Sequence, residues 1–273
     1  MDQTHSILDT VEPDVMARVV SRRGAIRQGS GASSAVIAGL AMASVPVAIA
    51  ALARDAYAQA TAPSIIDVLN FALTLEYLED EFYRTGLAAS VAATLLPPEL
   101  TAIEQVSKHE AAHVQFLLNT IPALGGTPVA KPTFDFTAAG AFPDVFSNKA
   151  TFLALAQAFE DTGVRAYKGQ AGNVASNAAV LTAALQIHSV EARHASQIRR
   201  LRGQKGWITN NDSGGLPPQA QAVYDGEENT VHAGVDAAPL GANVGGAPAV
   251  TEAFDEPLTM EQVLAIAGLF ITG

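Results

Sequence analysis

Two short motifs in this 273-residue chain pair a carboxylate with an imidazole, Glu110-x-x-His113 and Glu191-x-x-His194. Three residues of α-helix turn through about 300°, so the two side chains stand about 60° apart and one turn up, and can grip the same ion. Glu76 and Glu160 each fall where an apolar helical stripe should continue. Burying such carboxylates without a cation is costly. The spacing also repeats, with 34 residues from Glu76 to Glu110 and 31 from Glu160 to Glu191. Tyr83 follows Glu76 by seven residues and Tyr167 follows Glu160 by seven, two turns on one face. The chain thus reads Glu-x6-Tyr then Glu-x-x-His, twice, as a dinuclear metal site of pseudo-two-fold symmetry requires.

One Glu from each of two helices, with Glu-x-x-His from each of two others, is the ligand set of di-iron and di-manganese carboxylate bundles. Hard oxygen ligands with imidazole suit two Fe or two Mn ions and do not separate them. Glu110 and Glu191 would bridge the ions, Glu76 and Glu160 would be terminal, and His113 and His194 would each serve one metal. Glu79, three residues past Glu76, is the alternative ligand if the stripe is shifted by one turn; otherwise it joins Asp80 and Glu81 on a solvated face or just outside the ligands. Tyr83 and Tyr167 are either donors to the ligand carboxylates or ordinary core residues. His188, three before Glu191, is a candidate donor or proton shuttle. His109, about 100° around its helix from Glu110, reads as a packing or surface histidine. Arg193 pairs with a carboxylate or faces solvent. Glu227-Glu228 and Asp255-Glu256 read as acidic surface, with a further cation as the other option.

Helical periodicity supplies the elements that must carry these residues. Ser64 with Asp67 can cap a first helix, which runs past Glu76 and Tyr83 toward Gly86. Pro97 and Pro98 suit the start of a second, with Ile103, Val106, Phe116 and Leu117 on its stripe, to about Ile121. A third runs from about Ser147 to Lys168, and a fourth from about Ser176 to Arg202 with Leu181, Leu185, Ile198 and Leu201. The links between helices one and two and between three and four are short. The proline-rich link over about 121–147 is long, as expected if the chain crosses from one end of a bundle to the other. Residues 206–257 read as an irregular Gly/Pro/Ala-rich arm. Thr259 with Gln262 resembles a capping box for a short final helix with Val263, Leu264, Ala267 and Phe270 on its apolar face. The fold class is all-α, a four-helix bundle with a long crossover.

These segments resemble the ferritin-like superfamily, and more closely its exported ferritin-like-domain members that include the desiccation-related proteins. The residues carrying the likeness are Leu69-Asn70-Phe71-Ala72-Leu73-Thr74-Leu75-Glu76-Tyr77-Leu78-Glu79, Lys108-His109-Glu110-Ala111-Ala112-His113-Val114, Ala158-Phe159-Glu160 and Glu191-Ala192-Arg193-His194. Glu252-Ala253-Phe254-Asp255-Glu256-Pro257-Leu258 is similar to the same group. The likeness spans about 64–205. It implies a left-handed four-helix bundle whose dinuclear centre meets O2, peroxide or Fe(II).

Composition narrows the rest. Apolar residues make up 49% and charged residues 16%, with no cysteine, which excludes a disordered chain and any thiolate or iron–sulfur site. A formal net charge of −11 argues against nucleic acid as a partner. Gln28 to Ala53 are 26 residues without a charge. Ser21-Arg22-Arg23 precedes this stretch, and Ala56-Tyr57-Ala58, a small-x-small cleavage pattern, follows it. Together they resemble a twin-arginine export signal, with Ala25 where Phe is usual. The alternatives are an uncleaved membrane anchor and a buried helix. Residues 1–58 are therefore set apart from a bundle over 59–205 and a C-terminal extension over 206–273, and the expected destination is the periplasm or the exterior. Three functions compete. They are redox chemistry at the metal pair, a stress-protective or structural role with structural or no metal, and iron storage in a shell. A homodimer is compatible with any but the last.

Overall fold

The computed structural model describes residues 63–272; residues 1–58, which the sequence suggests as an export signal, lie outside the described residues. Helix α1, Ile65–Ala88, opens on the expected capping box, in which the Ser64 hydroxyl accepts from Asp67 N at 3.1 Å and the Asp67 carboxylate accepts from Ser64 N at 2.9 Å. Helix α2, Pro97–Ala123, has proline in its first turn, where no backbone donor is needed. Asn148 caps α3, Lys149–Gln170, and Asn177 caps α4, Ala178–Leu201. Among the described residues no helix is long and apolar enough to cross a membrane.

α1 packs on α2 and α3 packs on α4. The link between the pairs runs the length of the bundle. It leaves α2 beside the start of α1, where the Asn70 side chain bonds Thr127 O at 3.1 Å and Val129 N at 2.7 Å. It enters α3 beside the end of α1, where Val91 N donates to Phe146 O at 3.0 Å. The crossover therefore makes α3 start at the end where α1 finishes, and the two helix pairs meet head to tail. This is the arrangement that brings four mid-helix carboxylates to one level.

Two stripe residues face the other way from expectation. Phe116 is 40% exposed and Leu185 is 49% exposed. Each sits about 100° around its helix from a residue facing the core, Leu117 in α2 and Ala184 in α4, so apolar character alone put them on the wrong face. Leu264 is likewise exposed, and Ile266 takes its place in the core beside Val263, Ala267 and Phe270.

The arm after α4 is more ordered than its composition suggests. It forms 3-10 turns, a small antiparallel pair of β1, Val231–His232, with β2, Val235–Asp236, then α5, Ala247–Thr251. α6, Met260–Ala267, opens on the expected Thr259–Gln262 capping box. The chain then ties into the crossover, with Asp135 N donating to Phe270 O at 2.8 Å and Thr272 N to Thr133 O at 3.0 Å.

The arm is anchored by Arg165 of α3, which is 1% exposed. Its guanidinium donates to the carbonyls of Glu256 at 2.8 Å, Asp225 at 2.9 Å, and Val223, and lies 2.9 Å from Glu227 Oε1. Glu227 is thus not acidic surface as expected; it is 2% exposed. Its second oxygen has no partner. Burial, reinforced by the charge of Asp255, outweighs Arg165 and pushes its pKa up to about 7. The folded chain therefore holds this proton more tightly than the unfolded chain, so Glu227 lowers stability progressively from about pH 4.5 to about pH 7 and evenly above that. We expect Glu227→Gln to flatten this decline, with the variant gaining about 1–3 kcal/mol on wild type across the window. Thermal melts of both proteins at pH 4.5 and 7.5 check this; parallel curves would refute it.

Candidate metal centre

Each helix contributes from its middle turns to one buried layer. Glu76, Glu110, Glu160 and Glu191 are all 0% exposed, and His113 and His194 are 9% and 4% exposed. His113 Nδ1 lies 3.2 Å from Glu76 Oε2, 3.1 Å from Glu110 Oε2 and 3.1 Å from Glu191 Oε1. His194 Nδ1 lies 2.9 Å from Glu110 Oε1, 3.2 Å from Glu160 Oε2 and 3.8 Å from Glu191 Oε2. One ring nitrogen carries at most one proton and cannot serve three acceptors. His194 Nδ1, Glu110 Oε1, Glu160 Oε2 and both oxygens of Glu191 are close in distance yet make no aligned hydrogen bond. Their lone pairs converge on shared points instead of on each other, which is the geometry a cation would satisfy.

The donors fall into two groups, each drawn together within 4.8 Å. One is Glu76, Glu110, His113 and Glu191; the other is Glu110, Glu160, Glu191 and His194. Either could hold a metal ion, and Glu110 and Glu191 belong to both. The two terminal carboxylates are held alike. Tyr83 OH donates to Glu160 Oε1 at 2.5 Å, and Tyr167 OH donates to Glu76 Oε1. Each tyrosine thus fixes one oxygen and leaves the other facing the layer.

The electrostatics follow from this crowding. Burial raises the Glu110 pKa well above the carboxylate range, and the charge of Glu191 adds to it. Burial also raises Glu160, to about 7, against the opposing His194. Burial would lower His113, but its bonds to Glu110, Glu191 and Glu76 win and push it up to about 12. His194 is likewise driven up by Glu160 and Glu110. In Glu191 the two imidazoles outweigh burial and hold it down to about 2. The carboxylates thus demand positive charge, and the imidazoles supply part of it. Burial and the neighbouring Glu160 and Glu76 hold Tyr83 and Tyr167 neutral, as donors.

Two contributors were not placed by the sequence, and a third was left between alternatives. Glu79 takes the place just outside the ligands, not the solvated face: it is 3% exposed, and burial with the charges of Glu191 and Glu160 raises its pKa well above the usual range. It lies outside both ligand groups. His109 is not a packing or surface histidine. Its Nδ1 lies 2.8 Å from His194 Nε2, the rings stack with centroids 5.1 Å apart, and its Nε2 meets the Gln105 side-chain amide at 2.7 Å. Gly163 makes room for the carboxylates, since a Cβ there would stand 3.2 Å from Glu79 Oε1 and 3.3 Å from Glu191 Oε2. A glycine three residues past Glu160, in mid-helix, was the available signal for it.

His188 is hydrogen-bonded to none of the ligands. It opens into a cleft between α3, α4 and the arm, beside Lys168, Trp207 and Asp255, and its Nε2 is unpartnered. Arg193 is exposed.

Two substitutions test this geometry through metal affinity. Gly163→Ala should weaken metal binding, because a methyl group there would crowd Glu79 and Glu191. An unchanged affinity would contradict the role given to Gly163. His109→Ala removes the group that orients His194, and should cost about 10- to 100-fold in Co(II) affinity measured by its visible spectrum. An unchanged affinity would return His109 to a packing role.

Comparison with known proteins adds one positive finding. Residues 64–204 match the family model described as Ferritin-like domain, a span that takes in all six ligand candidates and all four bundle helices. No curated protein matches the chain.

Proposed function

Since the chain belongs to the ferritin-like domain family over residues 64–204, we propose that its buried layer holds two redox ions, iron or manganese, and that the protein uses them on O2, peroxide or Fe(II). The observation that carries this reading is the sharing of Glu110 and Glu191 between two four-residue ligand groups. Two separate structural sites would have no reason to share carboxylates. When bound, a pair of such ions supplies or accepts one electron each, enough for two-electron reduction of O2 to peroxide or of peroxide to water.

The chain's own residues do the rest. Glu110 and Glu191 would hold both ions, since each belongs to both ligand groups. Glu76 and Glu160 complete each side, and the phenols of Tyr167 and Tyr83 stop them swinging away as charge changes. The four carboxylates are buried, which shields them from bulk solvent. His109 holds the His194 ring so that Nδ1, not Nε2, faces the carboxylates. On the same proposal, the paired Arg22-Arg23 and the charge-free Gln28–Ala53 direct the protein out of the cytoplasm, where peroxide and O2 defence under oxidative or drying stress would be its setting.

The test uses protein loaded with Fe(II) or Mn(II). We expect about two ions per chain, with O2-dependent Fe(II) oxidation or peroxide disproportionation. The double variant His113→Ala with His194→Ala should fall below about one ion per chain and lose both activities. Zinc as the sole bound metal, with neither activity, would overturn the redox reading.

A further inference from the structure

The two ends of the bundle are related by the internal repeat, yet they are filled differently. Phe82 directly precedes Tyr83, whereas Ala166 directly precedes Tyr167. Ile103 lies seven residues before Glu110, whereas Ala184 lies seven before Glu191. At the Tyr83 end, Phe82 stacks on Phe152 with centroids 4.8 Å apart and meets Phe159 edge-on at 5.0 Å, and both Phe82 and Ile103 are 0% exposed. That end is solid. At the Tyr167 end the two alanines leave an apolar chamber, walled also by Leu69, Ala72, Leu117 and Ile187 and partly open to solvent beside the exposed Phe116. The space open to the centre of a water-sized sphere there is about 30 Å³. That exceeds the ~10–15 Å³ needed to hold one water molecule, and a lining made almost wholly of carbon offers water few partners and favours an apolar guest such as xenon.

We propose that this chamber is a binding site for a small apolar gas, dioxygen, and delivers it to the Glu76 side of the metal layer. The proposal rests on the redox reading above. Tyr167 is the wall between the two compartments, since its ring lines the chamber and its hydroxyl donates to Glu76. A molecule leaving the chamber past Tyr167 arrives at the Glu76–His113 half of the layer, so delivery is one-sided although the ligands are paired. Peroxide, which would give up its hydrogen bonds to enter carbon-lined space, would not share this route.

Two measurements separate this proposal from the reading it rests on. Xenon binding to the full chain, followed by ¹²⁹Xe NMR and located in a xenon-pressurised crystal, needs no bound metal. We expect one saturable site between Ala72, Leu117 and Ala184. Ala184→Ile, which copies the residue that fills the other end, should abolish it, and Ile187→Ala should enlarge it. In the Fe(II)-loaded protein Ala184→Ile should slow oxidation at low O2 by about tenfold and leave the peroxide-driven rate unchanged. If Ala184→Ile does not fold, Ala184→Val gives the same contrast at smaller amplitude. Absence of xenon from the chamber overturns the proposal and leaves the redox reading standing. Xenon uptake that Ala184→Ile abolishes, with no change in the O2 rate, overturns delivery alone. Xenon uptake with no oxidation by the wild-type protein overturns delivery and the redox reading together.

Discussion

Four carboxylates share one level of a bundle core, and each has 0% exposure. Like charges in a medium of low effective dielectric repel strongly, and desolvation adds to the cost. The fold is organised around that cost. Two imidazoles and two phenols are turned toward the carboxylates, and Gly163 gives up a side chain to make space for them. The rest of the demand is for cations. A bundle without this layer would gain from replacing the polar residues with packed hydrocarbon, so their presence is a functional commitment.

The repeat explains how such a layer is assembled from one chain. Each half supplies a helix with Glu and Tyr and a helix with Glu-x-x-His, and the crossover sets the halves head to tail. Each tyrosine then reaches the glutamate of the opposite half. Divergence within this frame is informative. Among the described residues only His194 has an outer imidazole partner, because the residue before Glu191 is Val190, where the first half has His109. The Tyr83 end carries the stacked phenylalanines. The C-terminal arm strengthens this inequality by adding Phe270 against Phe159 at 4.9 Å.

Much of this was legible in the sequence because helical period and chemistry coincide. Polar residues standing in an apolar stripe are costly, so Glu76, Glu110, His113, Glu160, Glu191 and His194 stood out, and Ser64, Pro97 and Thr259 marked helix starts with local signals. What was not legible depends on distant packing. His109 meets His194 across 85 residues, and no periodicity within α2 points to that. Glu79 stayed open between solvent and a place just outside the ligands, because what decides it is distant: the final helix and α3 close over it. Glu227 was read as surface because its anchor, Arg165, lies 62 positions earlier in the chain. Phe116 and Leu185 show the converse, since an apolar residue one step off the stripe is still apolar and still exposed.

The central claim is that two cations sit within the carboxylate layer and share Glu110 and Glu191. Anomalous diffraction from crystals grown with Fe(II) or Mn(II), collected at each metal's absorption edge, tests it most directly. The account predicts two anomalous peaks between the four helices, both in contact with Glu110 and Glu191, one beside His113 and the other beside His194. A layer free of anomalous signal, or a single ion bound elsewhere on the chain, would contradict it.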